Sequence, residues 1–279
     1  MNKLYEHKDC SSFVSGIAGS KAMFINVTTL MWLNTTTNIQ YCKGGNMYTT
    51  INSVYRKGGI FRFYNGFVPT LLHGCISRFG DIYSHSFVKN NSFLENKNII
   101  LDTVFSATLS STFRSLITPL DTFKIIQQMD GTNDFASVKR KLFKKGPSHI
   151  WNGAGAVFLS NFVGYIPWFY TYEFLDHYIP YDPNTYNLFR NATIGFTSSI
   201  VSDFFSNGVR VIKTIKQHDT SYSSYTQLVK CHLQHNNATQ LMFRGLETRI
   251  ITNCVQSILF TILWKWFEQQ DSKPRLNKK

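Results

Sequence analysis

The sequence is short of acid: 16 Asp and Glu stand against 29 Lys and Arg in 279 residues, a formal net charge of +13. It also lacks a Pro/Ser-rich spacer or low-complexity tract, so nothing marks a linker between separate domains. Its five cysteines, Cys10, Cys42, Cys75, Cys231 and Cys254, have neither CxxC spacing nor an even framework, which leaves a zinc site or a disulfide scaffold without support and predicts reduced thiols. There is no phosphate-binding loop, HExxH, GxSxG or clustered Cys/His set, so a catalytic site would have to be assembled from scattered residues; the expectation is a protein that is not an enzyme and needs no cofactor or metal. Residues Lys3, Glu6, Lys8 and Asp9 flank no apolar core, so neither a secretory signal nor an arginine-rich transit peptide is expected and targeting is read as internal. Sustained strand alternation is missing as well, which points to an all-α fold.

The excess of base does not lead to nucleic acid. Basic residues concentrate between apolar stretches, as in Lys139-Arg140-Lys141 with Lys144-Lys145, a placement that suits an anionic membrane face at least as well as phosphate contacts. The richness in aromatics, 24 Phe and 14 Tyr, tilts the reading to lipid. A mean hydropathy of −0.16 argues the other way. The two are reconciled if the spans are amphipathic helices around a wet cavity, with polar residues facing water and each other. The alternative is a soluble helical bundle with its wet faces outward.

What the chain does contain is one pattern three times. Tyr64-Asn65-Gly66, Trp151-Asn152-Gly153 and Phe243-Arg244-Gly245 each open an apolar stretch and each follows a glutamine, Gln40, Gln128 or Gln217. The glutamines are 88 and 89 residues apart and the glycines 87 and 92, the signature of three copies of one unit. The units are placed at 12–98, 99–189 and 190–268, with an N-terminal tail 1–11 and a basic C-terminal tail 269–279. Each holds two long-helix stretches: 12–40, 99–128 and 190–217 first, then 67–89, 154–177 and 246–268. Polar residues recur at helical spacing on both sets. Ser106, Ser110 and Arg114 share one face, as do Gly195, Ser199 and Asp203. On the second helices the stripes are Thr70, His73, Ser77, Asp81; Val157, Ser160, Asn161, Gly164; and Arg249, Thr252, Asn253, Gln256. Charge at the end of such stripes is costly in lipid, so all are expected to face inward.

These residues resemble the mitochondrial carrier family, whose signature Pro-x-(Asp/Glu)-x-x-(Lys/Arg)-x-(Lys/Arg)-x-Gln closes each odd-numbered helix. Pro119, Asp121, Lys124 and Gln128 match it in register, with Ile126 replacing the second base. The fifth helix keeps Lys213 and Gln217 but has Gly208 and Arg210 for the proline and the acid; the first keeps Gln40, with Met31, Leu33 and Thr36 at the diagnostic positions. The resemblance implies an integral-membrane bundle of six transmembrane helices from three helix-hairpin repeats, with short surface helices such as Met47 to Tyr55 and Phe135 to Phe143 on the matrix side. It implies alternating access with a matrix gate built from Pro119, Asp121, Lys124, Arg210 and Lys213, braced by Gln40, Gln128 and Gln217. Only the Asp121–Lys213 pair survives in that scheme; Leu33 cannot pair with Lys124, and Arg210 faces Thr36. The second, cytoplasmic gate of the family would fall on His85-Ser86 with Lys89, Tyr172-Glu173 with Asp176, and Trp264-Lys265 with Glu268, a set that is repulsive as it stands.

Counting on from the three glycines, the resemblance places solute contacts at His73, Ser160 with Asn161, and Thr252. Arg114, Asp203, Arg249 and Arg78 lie nearby, and guanidiniums in a confined cavity favour an anion. Duller roles stay open: His73 as a neutral polar filler, Arg114 and Asp203 paired with each other, Arg78 snorkelling or bracing Asp81, Arg249 purely structural. The expectation is a monomeric multi-pass protein of the mitochondrial inner membrane that transports a small anionic metabolite, di- or tricarboxylate-like, by exchange or proton-coupled uptake. Its partners would be that solute and membrane lipids, including anionic lipid at the matrix-side helices, with no nucleic acid. The alternative is a carrier-like membrane scaffold or binding protein that no longer transports.

Overall fold

The computed structural model describes residues 2–90, 99–143, 146, 150–179, 187–219, 222, 224–235, 237–259 and 263. Most of these residues are helical, and none of them forms a strand. The helices are α1 (Asn2–Lys43), α2 (Met47–Gly58), a short 3-10 helix (Ile60–Tyr64), α3 (Phe67–Asn90), α4 (Ile99–Leu116), α5 (Thr118–Asp130), α6 (Phe135–Phe143), α7 (Ala154–Tyr178), α8 (Asn187–His218), α9 (Tyr225–His235) and α10 (Ala238–Phe243). A last helix, α11, covers 246–259. Helix α1 begins at Asn2 rather than at 12; residues 2–11 hold no glycine or proline to break it. The expected C-terminal tail lies outside the described residues.

Proline decides where a long helix divides. The 99–130 stretch breaks at Ile117, and Pro119 sits in the first turn of α5, where its missing N–H costs nothing. Ahead of it the pyrrolidine ring disfavours helical backbone at Thr118, and the Thr118 hydroxyl donates to the Ser115 carbonyl at 2.7 Å across the break. At the matching places α1 has Met31 and α8 has Gly208, and both helices run through unbroken.

The apolar core lies at the C-terminal ends of these long helices, in three clusters. Ile39, Val54, Phe63, Ile125 and Met129 pack α1, α2 and the 3-10 helix against α5. Phe123, Ile126, Val138 and Leu142 join α5 to α6. Tyr41, Val211, Ile215, Leu228 and Leu241 join α1 and α8 to α9 and α10. Helices α2 and α6 are amphipathic by the same device: Thr50 and Val54 are buried on one, Val138 and Leu142 on the other, each pair four residues apart. Burying Val138 and Leu142 is worth about 1.5–3 kcal/mol apiece, enough to hold a nine-residue helix that would not form alone.

The connectors close a ring. Arg62 donates to the Gln128 and Met129 carbonyls at 2.7 and 3.0 Å, capping α5. Asn152 donates to the Lys216 carbonyl at 3.1 Å, capping α8, and Arg244 to the Tyr41 and Cys42 carbonyls at 3.4 Å, capping α1. Each connector thus satisfies the orphan carbonyls of the next long helix in cyclic order, and the positive charge of Arg62 and Arg244 falls at the negative helix end. The glycine that follows each capping region presses against the same helix. At Gly153, φ is +96° and an added Cβ would lie 2.9 Å from Gln217 Cγ. No side chain is accommodated there, which explains why the aromatic-x-Gly pattern ends in glycine.

Among the described residues no helix is long and apolar enough to cross a membrane by itself. Apolar side chains are nonetheless exposed in bands: Val68, Leu72 and Phe79 on α3, Leu159, Ile166 and Phe174 on α7, Ile251, Val255 and Ile258 on α11.

The substitution Gly153→Ala is expected to lower stability by about 1–3 kcal/mol, since it combines left-handed backbone with a forced contact. Gly195→Ala, inside α8 with open space around it, is expected to be neutral or mildly stabilising. Thermal unfolding of the purified protein in detergent checks both; equal melting temperatures would contradict the glycine argument.

Candidate functional site

The long helices α1, α3, α4 with α5, α7, α8 and α11 surround a cavity of about 760 Å³. The polar stripes line it. Ser106, Ser110, Arg114, Gly195, Ser199 and Asp203 all face it, as do Thr70, His73, Ser77, Asp81, Val157, Ser160, Asn161 and Gly164. The exception is Thr252, which is fully buried and donates to the Thr248 carbonyl at 2.6 Å. Its neighbour Asn253 lines the cavity instead, a rotation of about 100° around α11 that corrects the expected contact by one residue. Arg78, Arg249, Arg210, Lys124 and Lys213 complete the charged lining, which amounts to six cations against three carboxylates, Asp81, Asp121 and Asp203. Among the described residues the cavity therefore carries a surplus of three positive charges.

At the end of the cavity next to the apolar core, one carboxylate collects the cations. Asp121, 2% exposed, pairs with Lys213 of α8 at 2.8 Å and with Lys124 of its own helix at 2.7 Å. Gln217 donates to the same carboxylate at 3.1 Å, and His73 of α3 stands 3.9 Å away. Lys124, with no acid available at Leu33, has turned back to the acid three residues before it on α5. The other two glutamines do different work: Gln128 accepts from Asn38 of α1 at 2.7 Å, and Gln40 donates to the Gly45 carbonyl at 3.0 Å. The third contact among the long helices is Tyr41 of α1 donating to Asn207 of α8 at 3.0 Å. So α5 and α8 are joined by charge, and α1 is joined to both by neutral hydrogen bonds. Beyond this level, at the α5 C-terminus, Asp130 accepts from Lys141 at 2.7 Å and meets His218 of α8 at 3.3 Å. The His218 contact and then the Lys141 ammonium hold the Asp130 carboxyl down at about 2, so this second link is present at and above ordinary carboxylate pKa values and is lost as pH falls toward 2.

Further toward the N-terminal ends of the long helices the remaining acids are each claimed. Arg114 grips Asp81 of α3 through Nε at 3.0 Å and through Nη2, and Ser110 donates to the same carboxylate at 2.6 Å. Asp203 meets Arg210 at 3.0 Å, Arg249 at 3.6 Å and the Asn253 amide. Arg114 and Asp203 are thus not each other's partners, and Arg210 pairs with Asp203 instead of facing Thr36. Arg249 is held loosely: its Nε is beyond hydrogen-bonding reach of Asp203, and 27% of its side chain is exposed. Ser160 and Asn161 donate to the Val157 carbonyl of their own helix at 3.0 and 2.7 Å, and Asn161 Oδ1 meets Arg114 at 3.4 Å.

Sequence reasoning missed Asn38, Tyr41 and Asn207, because the matching positions in the other units carry unrelated residues and the repeat gives no signal there. Tyr165, whose hydroxyl lies 3.0 Å from Ser110, was missed for the same reason. Of the expected cytoplasmic gate, Asp176 pairs with Arg190 at 2.7 Å and so has a neighbour outside the family scheme. The side chains of His85, Ser86, Lys89, Glu173, Trp264, Lys265 and Glu268 lie outside the described residues.

Because Asp121 answers to two ammoniums, Asp121→Ala is expected to cost about 3–5 kcal/mol by stranding both, and Lys213→Ala markedly less because Lys124 remains. The swap Asp121→Lys with Lys213→Asp should recover only part of the loss, since the new lysine meets Lys124 one turn away. Melting temperatures of the four proteins test this; equal losses in the two single variants would contradict it.

Residues 95–182 match the family model for mitochondrial carrier protein. No curated protein sequence matches the chain. The matched segment takes in α4 to α7 and contains Pro119, Asp121, Lys124 and Gln128 of the signature together with the Trp151-Asn152-Gly153 turn. Over that segment, about a third of its length, the chain is similar to the mitochondrial carrier family.

Proposed function

We propose that the protein is a multi-pass carrier of the mitochondrial inner membrane that moves a small anionic metabolite with two or more negative charges, as di- and tricarboxylates have, by alternating access. The observation that carries this is the cavity's surplus of three positive charges, enclosed by helices whose outer faces are apolar. The family match over residues 95–182 supports transport of a solute in general. The low apolarity of each helix is accounted for by its two faces: on α3, Thr70, His73 and Ser77 turn inward while Val68, Leu72 and Phe79 turn outward. A helix shielded from lipid on its polar side need not be apolar all round.

In this reading the Asp121–Lys213 pair with its Gln217 brace is the matrix gate, flexed by the break at Pro119. Opening it separates charges in a nearly dry site, a cost offset by solute contacts at the cations above it. Arg249 and Lys124 are the cations with most to offer a solute, the first by its loose hold on Asp203 and the second because Asp121 is already matched by Lys213. His73, Ser160, Asn161, Asn253 and Arg78 would orient it, with Arg114 kept in place by Asp81. The proposal treats the protein as a monomer, with anionic lipid against the basic surface of α6.

Reconstituted into liposomes, the protein is expected to take up such anions saturably, and Arg249→Ala to reduce uptake at least about tenfold, the loss of one charge-assisted contact. Unchanged uptake in that variant would remove Arg249 from the solute site. A panel of carboxylates, nucleotides and amino acids that leaves the melting temperature unmoved, with no uptake of any, would favour the scaffold reading instead.

A further inference from the structure

We propose that anion binding in the cavity is coupled to protonation of His73, so that the solute enters together with a proton; this rests on the transport reading above. His73 is the one imidazole among the described cavity-lining residues. Its Nε2 stands 3.9 Å from Asp121 Oδ1 and 3.5 Å from the Ser77 hydroxyl, between the solute region and the gate. The charged groups facing it come from three elements: Asp121 and Lys124 of α5, Arg114 of α4 and Lys213 of α8. On α1 the cavity is lined by Met23, Val27, Asn34, Asn38 and Tyr41, which bring no charge at neutral pH.

The charge balance dictates the coupling. With the cavity empty, an imidazolium would be the third cation on a carboxylate already matched by Lys124 and Lys213. A bound dianion reverses this, because it supplies the missing negative charge and an acceptor for the new N–H. The proton comes from the water on the open side, adds to an imidazole nitrogen, and leaves to water on the other side when the anion departs. Nothing else is consumed. Because coupling between two bound species is reciprocal, a proton that tightens anion binding must itself be taken up when the anion binds. The Asp121 neighbour makes the same event mechanical: a protonated His73 competes with Lys213 for Asp121 and so loosens the gate pair when the cavity is loaded.

The test uses the full chain in phosphatidylcholine–cardiolipin liposomes with the pH dye pyranine inside and the membrane potential clamped to zero by potassium and valinomycin. Malate, succinate and citrate are the probes, the first two being ionised on all carboxylates near neutral pH. The wild type is expected to acidify the lumen as the anion enters, with uptake rising toward about tenfold per unit fall in external pH, the one-proton limit. His73→Gln and His73→Asn are expected to take up anion at a reduced rate, with no acidification and a flat pH profile. Wild-type uptake without acidification, or variants that keep the slope, would overturn the inference and leave the transport reading standing. A wild type that takes up none of the probes would overturn both, and the wild-type proton count decides the matter even where a variant fails to fold.

Discussion

One buried carboxylate organises this molecule. Asp121 is where α5 and α8 meet, and its two oxygens serve Lys124, Lys213 and Gln217, with His73 at the edge of contact. A carboxylate so far from water is tolerated only when matched by charge and hydrogen bonds, and here it is matched more than once. Leu33 of α1 is buried and brings no acid to this end, so Lys124 shares Asp121 with Lys213. Helix α1 therefore stays outside this ionic network, and the cavity wall carries more cations than acids.

The three long-helix ends are consequently joined by unequal seams within a cyclic frame. The frame is built by the connectors, each of which caps the next helix in order through Arg62, Asn152 or Arg244. The seams differ: an ion pair with a second link at Asp130 and His218 between α5 and α8, an amide pair between Asn38 and Gln128, and a phenol–amide contact between Tyr41 and Asn207. Neutral hydrogen bonds contribute roughly 1 kcal/mol net, whereas a buried pair resists separation more strongly. The α5–α8 seam is thereby the strongest of the three.

Much of this was legible in the chain because repetition carries phase information. Spacing alone put Ser106, Ser110, Arg114 and their counterparts on inward faces, and the turn glycines marked where helices begin. Apolarity was the weaker guide, since a helix wet on one side and greasy on the other averages to neither. Side-chain pairing was legible only where two units agreed. Asp121 with Lys213 could be read from the signature, but Asp81 with Arg114 and Arg210 with Asp203 are unique to their places and depend on which rotamer reaches which neighbour. Thr252 shows the same boundary: counting from Gly245 fixed its depth, yet depth along a helix does not fix the angle around it, and Asn253 lines the cavity instead.

The central claim is that Asp121 seals one end of a water-filled cavity. The most direct measurement is the labelling rate of a cysteine at Asn161→Cys, in a background with the native cysteines replaced, by a membrane-impermeant thiol reagent applied from either side of sealed vesicles. The account predicts labelling from one side only, and from both sides once Asp121→Asn is added. A thiol unreactive from both sides, or a one-sided pattern untouched by Asp121→Asn, would contradict it.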